Sequence, residues 1–390
     1  MIRRHLSPSA DRSFFLFGAR GTGKTTFLRN WFSGKDVLWI DLLELEQEDR
    51  YARRPQLLAE QLFALGPEDW VVIDEVQKLP KLLDVVHGAI ERAKIKFALT
   101  GSSTRKLKRG STNLLAGRAF VYQMFPLTVA ELGGQFSLQN ALEYGTLPGH
   151  LELSSSEDKA EFLRAYALTY LKEEVWAEQF IRNLDPFRAF LEVAAQCNGQ
   201  IINYARISRD VGVDAKTVQS YFQILEDTLL AHILEPYHRS VRKRQTQSPR
   251  FYFFDSGVCR ALSRTLNVPL NHGTYSYGRV FEHFVIIEIF RRCAYLKNDY
   301  RLSYLRTKDG AELDLVIERP GKDTVLLEIK SSTLVDENDL RHLRSFHRSI
   351  PNSLAICLSQ ETEQRVHGGG VKVVPWSEGL EEIGLSMRSA

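Results

Sequence analysis

The chain reads as an α/β protein in which a doubly wound parallel sheet is followed by a helical connector and a second α/β domain. Three observations predict this. Short, nearly continuous apolar runs alternate with helical patterns from Ser13 to Met124, as strands covered on both faces of a parallel sheet require. From Glu157 to Thr228 the pattern is helical throughout. After Tyr277 come a long helix, a β-meander and further strands. A chain of 390 residues has room for this organisation, and the divisions fall at 1–135, 136–182, 183–260 and 261–390.

Composition narrows the classes. Hydrophobic content of 44% and charged content of 25% describe an ordinary globular protein. A net charge of +3 is too balanced to imply nucleic acid by itself, so that case must be made locally. Cys197, Cys259, Cys293 and Cys357 lie far apart, without C-x-x-C pairs, and read as buried thiols in a reducing compartment. The apolar FFLF run feeds straight into the next motif and is too short for a signal sequence. With no apolar run of spanning length, the expectation is a cytoplasmic protein without a membrane partner.

The stretch Ser13–Phe32, SFFLFGARGTGKTTFLRNWF, organises the first domain. Phe14–Phe17 reads as a buried strand and Thr25–Phe32 as a helix. Between them Gly18, Gly23, Lys24 and Thr25 complete G-x-x-x-x-G-K-[ST]. Backbone N–H groups of Gly18, Ala19, Arg20, Gly21, Thr22, Gly23 and Thr26 would form an anion nest at the helix N-terminus. Lys24 would reach the β/γ-phosphates and the Thr25 hydroxyl would ligate Mg²⁺. Strands follow at Val37–Asp41, Trp70–Glu75, Lys96–Thr100 and Ala119–Met124, with helices at Pro55–Leu65 and Lys81–Ala93.

Trp70–Ile73 delivers Asp74 and Glu75 to a strand's C-terminal end, where ligands bind in open α/β sheets. Asp74 would hold Mg²⁺ and Glu75 would polarise the attacking water. No N-K-x-D guanine motif follows, which favours ATP. Thr100–Gly101–Ser102–Ser103 ends the next strand and offers hydroxyls to the γ-phosphate. In the basic run Arg105–Arg118, Arg118 is a candidate for stabilising transition-state charge, within the chain or across a subunit interface.

GARGTGKTT, WVVIDEVQKLP, LTGSS, LLAGRA and FPLTVAEL occur in this order, and together they resemble the AAA-type ATPases of bacteria and archaea that carry a C-terminal domain of once-unknown function. The resemblance implies a doubly wound AAA-type sheet ordered 5-1-4-3-2, ATP and Mg²⁺ as cofactors, and Ser102 or Ser103 at the sensor position. Relatives often form rings, so a homo-oligomer is in scope.

In the middle, Gly145–Gly149 reads as a linker loop and Glu157–Ile181 as one long helix. Asp185–Cys197 is a further helix. Tyr204–Val211 and Ala215–Thr228, joined at Gly212 with Asp214 as N-cap, have a helix-turn-helix layout. Strands at Leu229–Glu235 and Phe251–Asp255 flank the basic segment Pro236–Arg250. This is the pattern of a winged helix, and the resemblance supports one here. Lys216, Gln219 and Gln223 would face outward, while Arg239, Arg242, Lys243, Arg244 and Arg250 would meet phosphates of DNA rather than RNA.

In the last domain, Glu282 lies in the first turns of a helix, Asp314 lies on one arm of a hairpin, and Glu328 and Lys330 lie on the other. Alternation puts Glu328 and Lys330 on one face, and an adjacent strand in register would add Asp314. Two such carboxylates make a hard oxygen site for Mg²⁺ or Mn²⁺, with Lys330 placed to stabilise charge on a phosphate. Gly278, Glu282, Asp314, Glu328 and Lys330 are similar to the pattern of the PD-(D/E)XK nucleases, although Leu313 stands where proline is usual. That resemblance implies a restriction-endonuclease-like α/β fold. Glu288 and Glu312 lie nearby, outside the pattern.

The expected function is Mg²⁺-dependent ATP hydrolysis directed at nucleic acid, which the C-terminal domain binds or cuts. The alternative is a nucleotide-dependent switch whose later domains bind a partner protein without cleavage. A small-molecule phosphate-loop kinase would leave the long remainder of the chain unexplained.

Overall fold

The computed structural model describes residues 2–103, 115, 117–170, 184–238 and 248–387. Its first layer is built from β1 (Ser13–Phe17), α1 (Lys24–Trp31), β2 (Val37–Asp41), α2 (Leu45–Arg53), α3 (Gln56–Leu62), β3 (Trp70–Asp74), α4 (Leu82–Arg92), β4 (Lys96–Gly101) and β5 (Ala119–Gln123). All pairings are parallel and the order is β2-β3-β4-β1-β5, the order implied by the resemblance. Phe15, Phe17, Val71, Ile73, Phe97 and Leu99 fill one side of the sheet, and Phe14, Leu16, Val72 and Ala98 fill the other. Period-two burial on both faces explains why these strands read as unbroken apolar runs. The C-terminal ends of β1, β3 and β4 open on one edge, which is where the candidate residues cluster.

The connector holds α5 (Leu138–Tyr144), α6 (Ser156–Ala165), α7 (Leu184–Gln196), α8 (Tyr204–Val211) and α9 (Ala215–Asp227), with short helical turns at Val129–Leu132 and Pro148–Leu151. The helix expected from Glu157 to Ile181 changes character within its described part. Regular α-helix stops at Ala165 and passes into a π-helical turn, Tyr166–Tyr170; the rest of the expected span lies outside the described residues. The wider turn coincides with a tertiary contact, since the buried Tyr166 hydroxyl donates to the Arg20 carbonyl at 2.7 Å. Further on, Gly212 ends α8 in the left-handed region (φ 74°), and the Asp214 carboxylate caps α9 by accepting from the Thr217 N–H at 2.9 Å.

After α9 come β6 (Ala231–Pro236), β7 (Arg250–Phe253), α10 (Ser256–Leu262), α11 (Tyr275–Tyr295), β8 (Arg301–Arg306), β9 (Glu312–Glu318), β10 (Thr324–Ile329), α12 (Arg341–Ser349), β11 (Ser353–Ser359), β12 (Arg365–His367), β13 (Val371–Pro375) and α13 (Trp376–Glu382). They form one sheet in the order β12-β13-β11-β10-β9-β8-β6-β7. The β6–β7 hairpin is therefore continuous with the C-terminal sheet, joined where Glu235 and Pro236 pair in parallel with Ser303 and Tyr304. Phe281, Phe284 and Val285 of α11 pack in one core with Leu315, Ile317, Val325 and Leu327. Leu343 of α12 packs in another with Leu313, Val316 and Leu326. Among the described residues no helix is long and apolar enough to cross a membrane.

Candidate functional site

Two centres emerge, one at each end of the chain. At the first, β1 is followed by a loop in which Gly21 and Gly23 take left-handed backbone angles, φ 76° and 92°. Gly18 permits a close approach, because a Cβ there would lie 2.4 Å from the Met124 carbonyl oxygen. Lys24 is buried and folds back, donating from Nζ to the carbonyl of Gly18 at 2.8 Å. Its ammonium lies 3.9 Å from Glu75. Thr25 Oγ1 donates to Asp74 Oδ2 at 2.7 Å, and the Thr100 hydroxyl donates to the other oxygen of Asp74. That hydroxyl and carboxylate are the hard oxygen pair that Mg²⁺ takes at such a loop, so the donor set fits the metal.

Glu75 itself sits in the left-handed region (φ 59°), which turns its carboxylate off the end of β3. Its N–H donates to Thr100 Oγ1 at 2.9 Å. The buried Gln77 amide donates to the Glu75 carboxylate and, at 3.1 Å, to Ser102 Oγ. Gly101 makes room for this, since a Cβ there would lie 2.8 Å from Gln77 Oε1. Thr100 and Gln77 thus hold the acid pair in place. The TGSS run pointed to hydroxyls here, but not to Thr100 as the one touching Asp74. Ser103 is also buried at this edge. Within the chain, the Arg118 guanidinium pairs with Glu91 on α4 through Nε at 2.8 Å. Of the basic run before it, residues 104–114 and 116 lie outside the described residues.

Arg4 is a residue whose role the sequence did not suggest. Its guanidinium donates to the Thr22 carbonyl in the phosphate loop (2.8 Å), to the Phe125 carbonyl (2.6 Å), to the Tyr295 hydroxyl (2.9 Å) and to Glu131 (3.0 Å). Tyr295 is the last residue of α11. Other residues of that helix reach the same region. Glu288 is fully buried, accepting from the Val129 N–H at 3.1 Å and pairing with Arg292 at 2.8 Å. Buried Arg291 donates to Thr146 Oγ1, Leu127 O and Phe254 O. These polar anchors interrupt the apolar periodicity of α11 and could have been suspected from it.

The second centre lies toward the other end of α11. The β9–β10 register pairs Leu315 with Leu327, and its continuation sets Asp314 against Glu328. Asp314 accepts from the Ile329 N–H at 2.8 Å, and Lys330 Nζ lies 2.7 Å from Glu328 Oε1. Glu282 joins from α11, accepting from the buried Tyr252 hydroxyl at 2.8 Å. Burial and the Asp314 charge push the Glu282 carboxyl up to about 7 and the Glu328 carboxyl up to about 8. Asp314 is raised as well, by burial. Burial disfavours the Lys330 ammonium, but Glu328 and Asp314 outweigh it and raise Lys330. The four residues expected to converge do form one electrostatic cluster.

A divalent cation suits this donor set in part. Asp314 and Glu328 offer hard oxygens, and Glu328 Oε2 is buried without a hydrogen-bond partner. Yet among the described residues no group of three or more His, Cys, Asp or Glu side chains is arranged to hold a metal ion.

Arg250 is corrected by the structure. It was expected to face the phosphates of nucleic acid; instead it is buried, pairs with Glu312 and lies 3.9 Å from Glu282. Glu312, outside the expected pattern, also lies 3.7 Å from Arg306. Lys216, Gln219 and Gln223 are exposed on α9. Arg239, Arg242, Lys243 and Arg244 lie outside the described residues.

Against known families, residues 10–133 match the model of an AAA domain. Over those residues the chain is similar to an AAA domain. Residues 135–268 and 277–378 match two families described as domains of unknown function, DUF8612 and DUF4143. An uncharacterized protein of Mycobacterium tuberculosis is 29% identical over 311 residues, covering 79% of this chain and 68% of that protein. One of Haemophilus influenzae is 19% identical over 362 residues, covering 85% and 86%. Among solved structures, a RuvB variant of Thermotoga maritima covers 57% of this chain and 81% of its own at 18% identity, with a TM-score of 0.31. The replication initiator DnaA covers 55% and 82% at 17% identity, also at 0.31.

Proposed function

We propose that the chain hydrolyses ATP with Mg²⁺ and uses the cycle to direct its C-terminal acid cluster at nucleic acid, DNA in preference to RNA. In the first centre, Thr25 and Asp74 hold Mg²⁺, Lys24 leaves the Gly18 carbonyl for the β/γ-phosphates, and Glu75, steadied by Gln77, orients and deprotonates the attacking water. Ser102 and Ser103 sense the γ-phosphate. Arg118 serves across an interface with a second copy, because within the chain it is engaged by Glu91.

In the second centre, Asp314 and Glu328 hold Mg²⁺ or Mn²⁺, which supplies charge neutralisation at a scissile phosphate. Lys330 steadies the negative charge of that phosphate, and Glu282 completes the anionic wall. The strand is brought there by a winged helix made of α8, α9 and the β6–β7 hairpin, with Lys216, Gln219, Arg239, Arg242, Lys243 and Arg244 on phosphates. The observation that carries this reading is the convergence of Glu282, Asp314, Glu328 and Lys330, which come from three separate elements.

The purified chain, incubated with duplex and single-stranded DNA, ATP and Mg²⁺ or Mn²⁺, is expected to cut, and Asp314→Ala to abolish cutting while ATP turnover continues. Absence of cutting under every combination overturns the nuclease half. A second reading, a nucleotide-dependent switch whose C-terminal half binds a partner protein, is favoured by one observation: no three-ligand group is assembled among the described residues. Calorimetry with Mn²⁺ separates the two, since the switch requires no divalent ion at Asp314 and Glu328.

A further inference from the structure

The late acid cluster is served by a cation from a distant part of the chain. Arg250 opens β7, an edge strand of the eight-stranded sheet, while its acidic neighbours belong to α11 and β9. Its side chain is 5% exposed. One guanidinium nitrogen contacts Glu312, the other lies 3.9 Å from Glu282, and Cζ stands 5.0 Å from the centre of the Tyr304 ring. Arg250 and Lys330 are the two cations whose charge acts on Asp314. Its Nε is buried without a partner, so the fork is only partly satisfied. Tyr252 follows two residues later on the same face and donates to Glu282.

We propose that Arg250 is a tethered competitor for the cation pocket: it neutralises Glu282 and Asp314 when no divalent ion is present, and it must withdraw before Asp314 and Glu328 can hold one. This rests on the metal reading of that pocket. A divalent ion brought to Asp314 meets a guanidinium of like sign in a poorly solvated site, where repulsion is barely screened. Withdrawal has a route. β7 is held by β6 on one side and, at Arg250 itself, by an antiparallel bridge to Ile201 on the other, so the backbone stays in place and the arginine side chain swings out by rotamer changes alone. The geometry therefore makes metal loading conditional on the position of the Arg250 side chain. A phosphate arriving there offers the guanidinium an alternative bidentate partner.

The test is Mn²⁺ titration of the full chain without nucleotide, followed by calorimetry and by the paramagnetic resonance signal of free Mn²⁺. Arg250→Met is expected to bind at least about tenfold more tightly than wild type, because the competing charge is gone. Arg250→Lys, which keeps a charge but loses the fork, is expected to fall between them. Asp314→Asn identifies which binding belongs to this pocket. If Arg250→Met and Arg250→Lys bind Mn²⁺ no more tightly than wild type while Asp314→Asn still removes the binding, the competitor role is overturned and the metal site stands. If no Asp314-dependent binding occurs in any variant, the metal reading fails and the proposal fails with it. Melting curves report folding; should Arg250→Met not fold, Arg250→Lys decides alone.

Discussion

The two centres treat buried carboxylates in opposite ways. Asp74 is enclosed at the end of β3 and receives hydrogen bonds from Thr25 and Thr100 on both its oxygens. Its hydrogen-bond partners there are neutral hydroxyls. Glu282, Asp314 and Glu328 face one another, and only part of their charge is met by Lys330 and Arg250. One site is lined by neutral hydroxyl dipoles; the other is a crowd of carboxyl groups held in check by retained protons and by the protein's own cations. The lesson concerns readiness. On the proposed readings, the first awaits nucleotide, for which Lys24 leaves the Gly18 carbonyl, whereas the second must also exchange one set of positive charges for another.

The sharpest way to break the contrast lies at Glu75. Glu75→Gln is expected to lower ATP turnover by at least about a hundredfold with ATP affinity kept within a few-fold, as measured by phosphate release and fluorescent-nucleotide binding. Turnover at the wild-type rate would remove Glu75 as the group acting on water. Lys330→Ala comes next. It should cut divalent-dependent nucleic-acid cleavage by about tenfold or more and leave ATP turnover unchanged. Equal loss of both activities would mean that the two centres are not separable.

A third test uses pH. Glu328 has a folded-state value near 8, above its ordinary 4.5, so between those limits the folded chain keeps a proton that the unfolded chain has released. Stability then falls as pH rises through that window. With chelator present, denaturant melts at pH 5 and pH 8 should differ by on the order of 2 kcal/mol more in wild type than in Glu328→Gln. A variant with the same slope as wild type would show that Glu328 is not held protonated. The smallest effect is expected from Tyr295→Phe, which removes the hydroxyl between Arg4 and the Phe125 N–H. A stability loss of about 1 kcal/mol together with weaker ATP binding would tie α11 to the phosphate loop; unchanged ATP binding would leave the contact structural.

Much of the first centre was legible because its residues are local: Gly18 to Thr25 form one turn, and Asp74 and Glu75 end one strand. The sheet order came only with the family resemblance that those motifs carry. From strand alternation the second centre was legible along the hairpin, in Asp314, Glu328 and Lys330, while Glu282 on the helix came only with the family resemblance. Arg250 and Tyr252 were not, because their placement depends on the β6–β8 pairing, a contact between strands far apart in sequence that no local pattern encodes. The π-helical turn after Ala165 was missed for a similar reason. Tyr166 answers to a carbonyl in the phosphate loop, so a distant contact overrides the helical periodicity.

The anchoring of α11 bears on how this protein can be taken apart. Its Arg291 and Glu288 are satisfied by backbone and hydroxyl groups of residues 127, 129, 146 and 254. A fragment starting just before Tyr275 would leave Glu288 its Arg292 partner but strand Arg291, at a cost of several kcal/mol. The C-terminal half is accordingly no portable cassette: severed from its first half it should misfold, and mixing the two halves in trans should restore it.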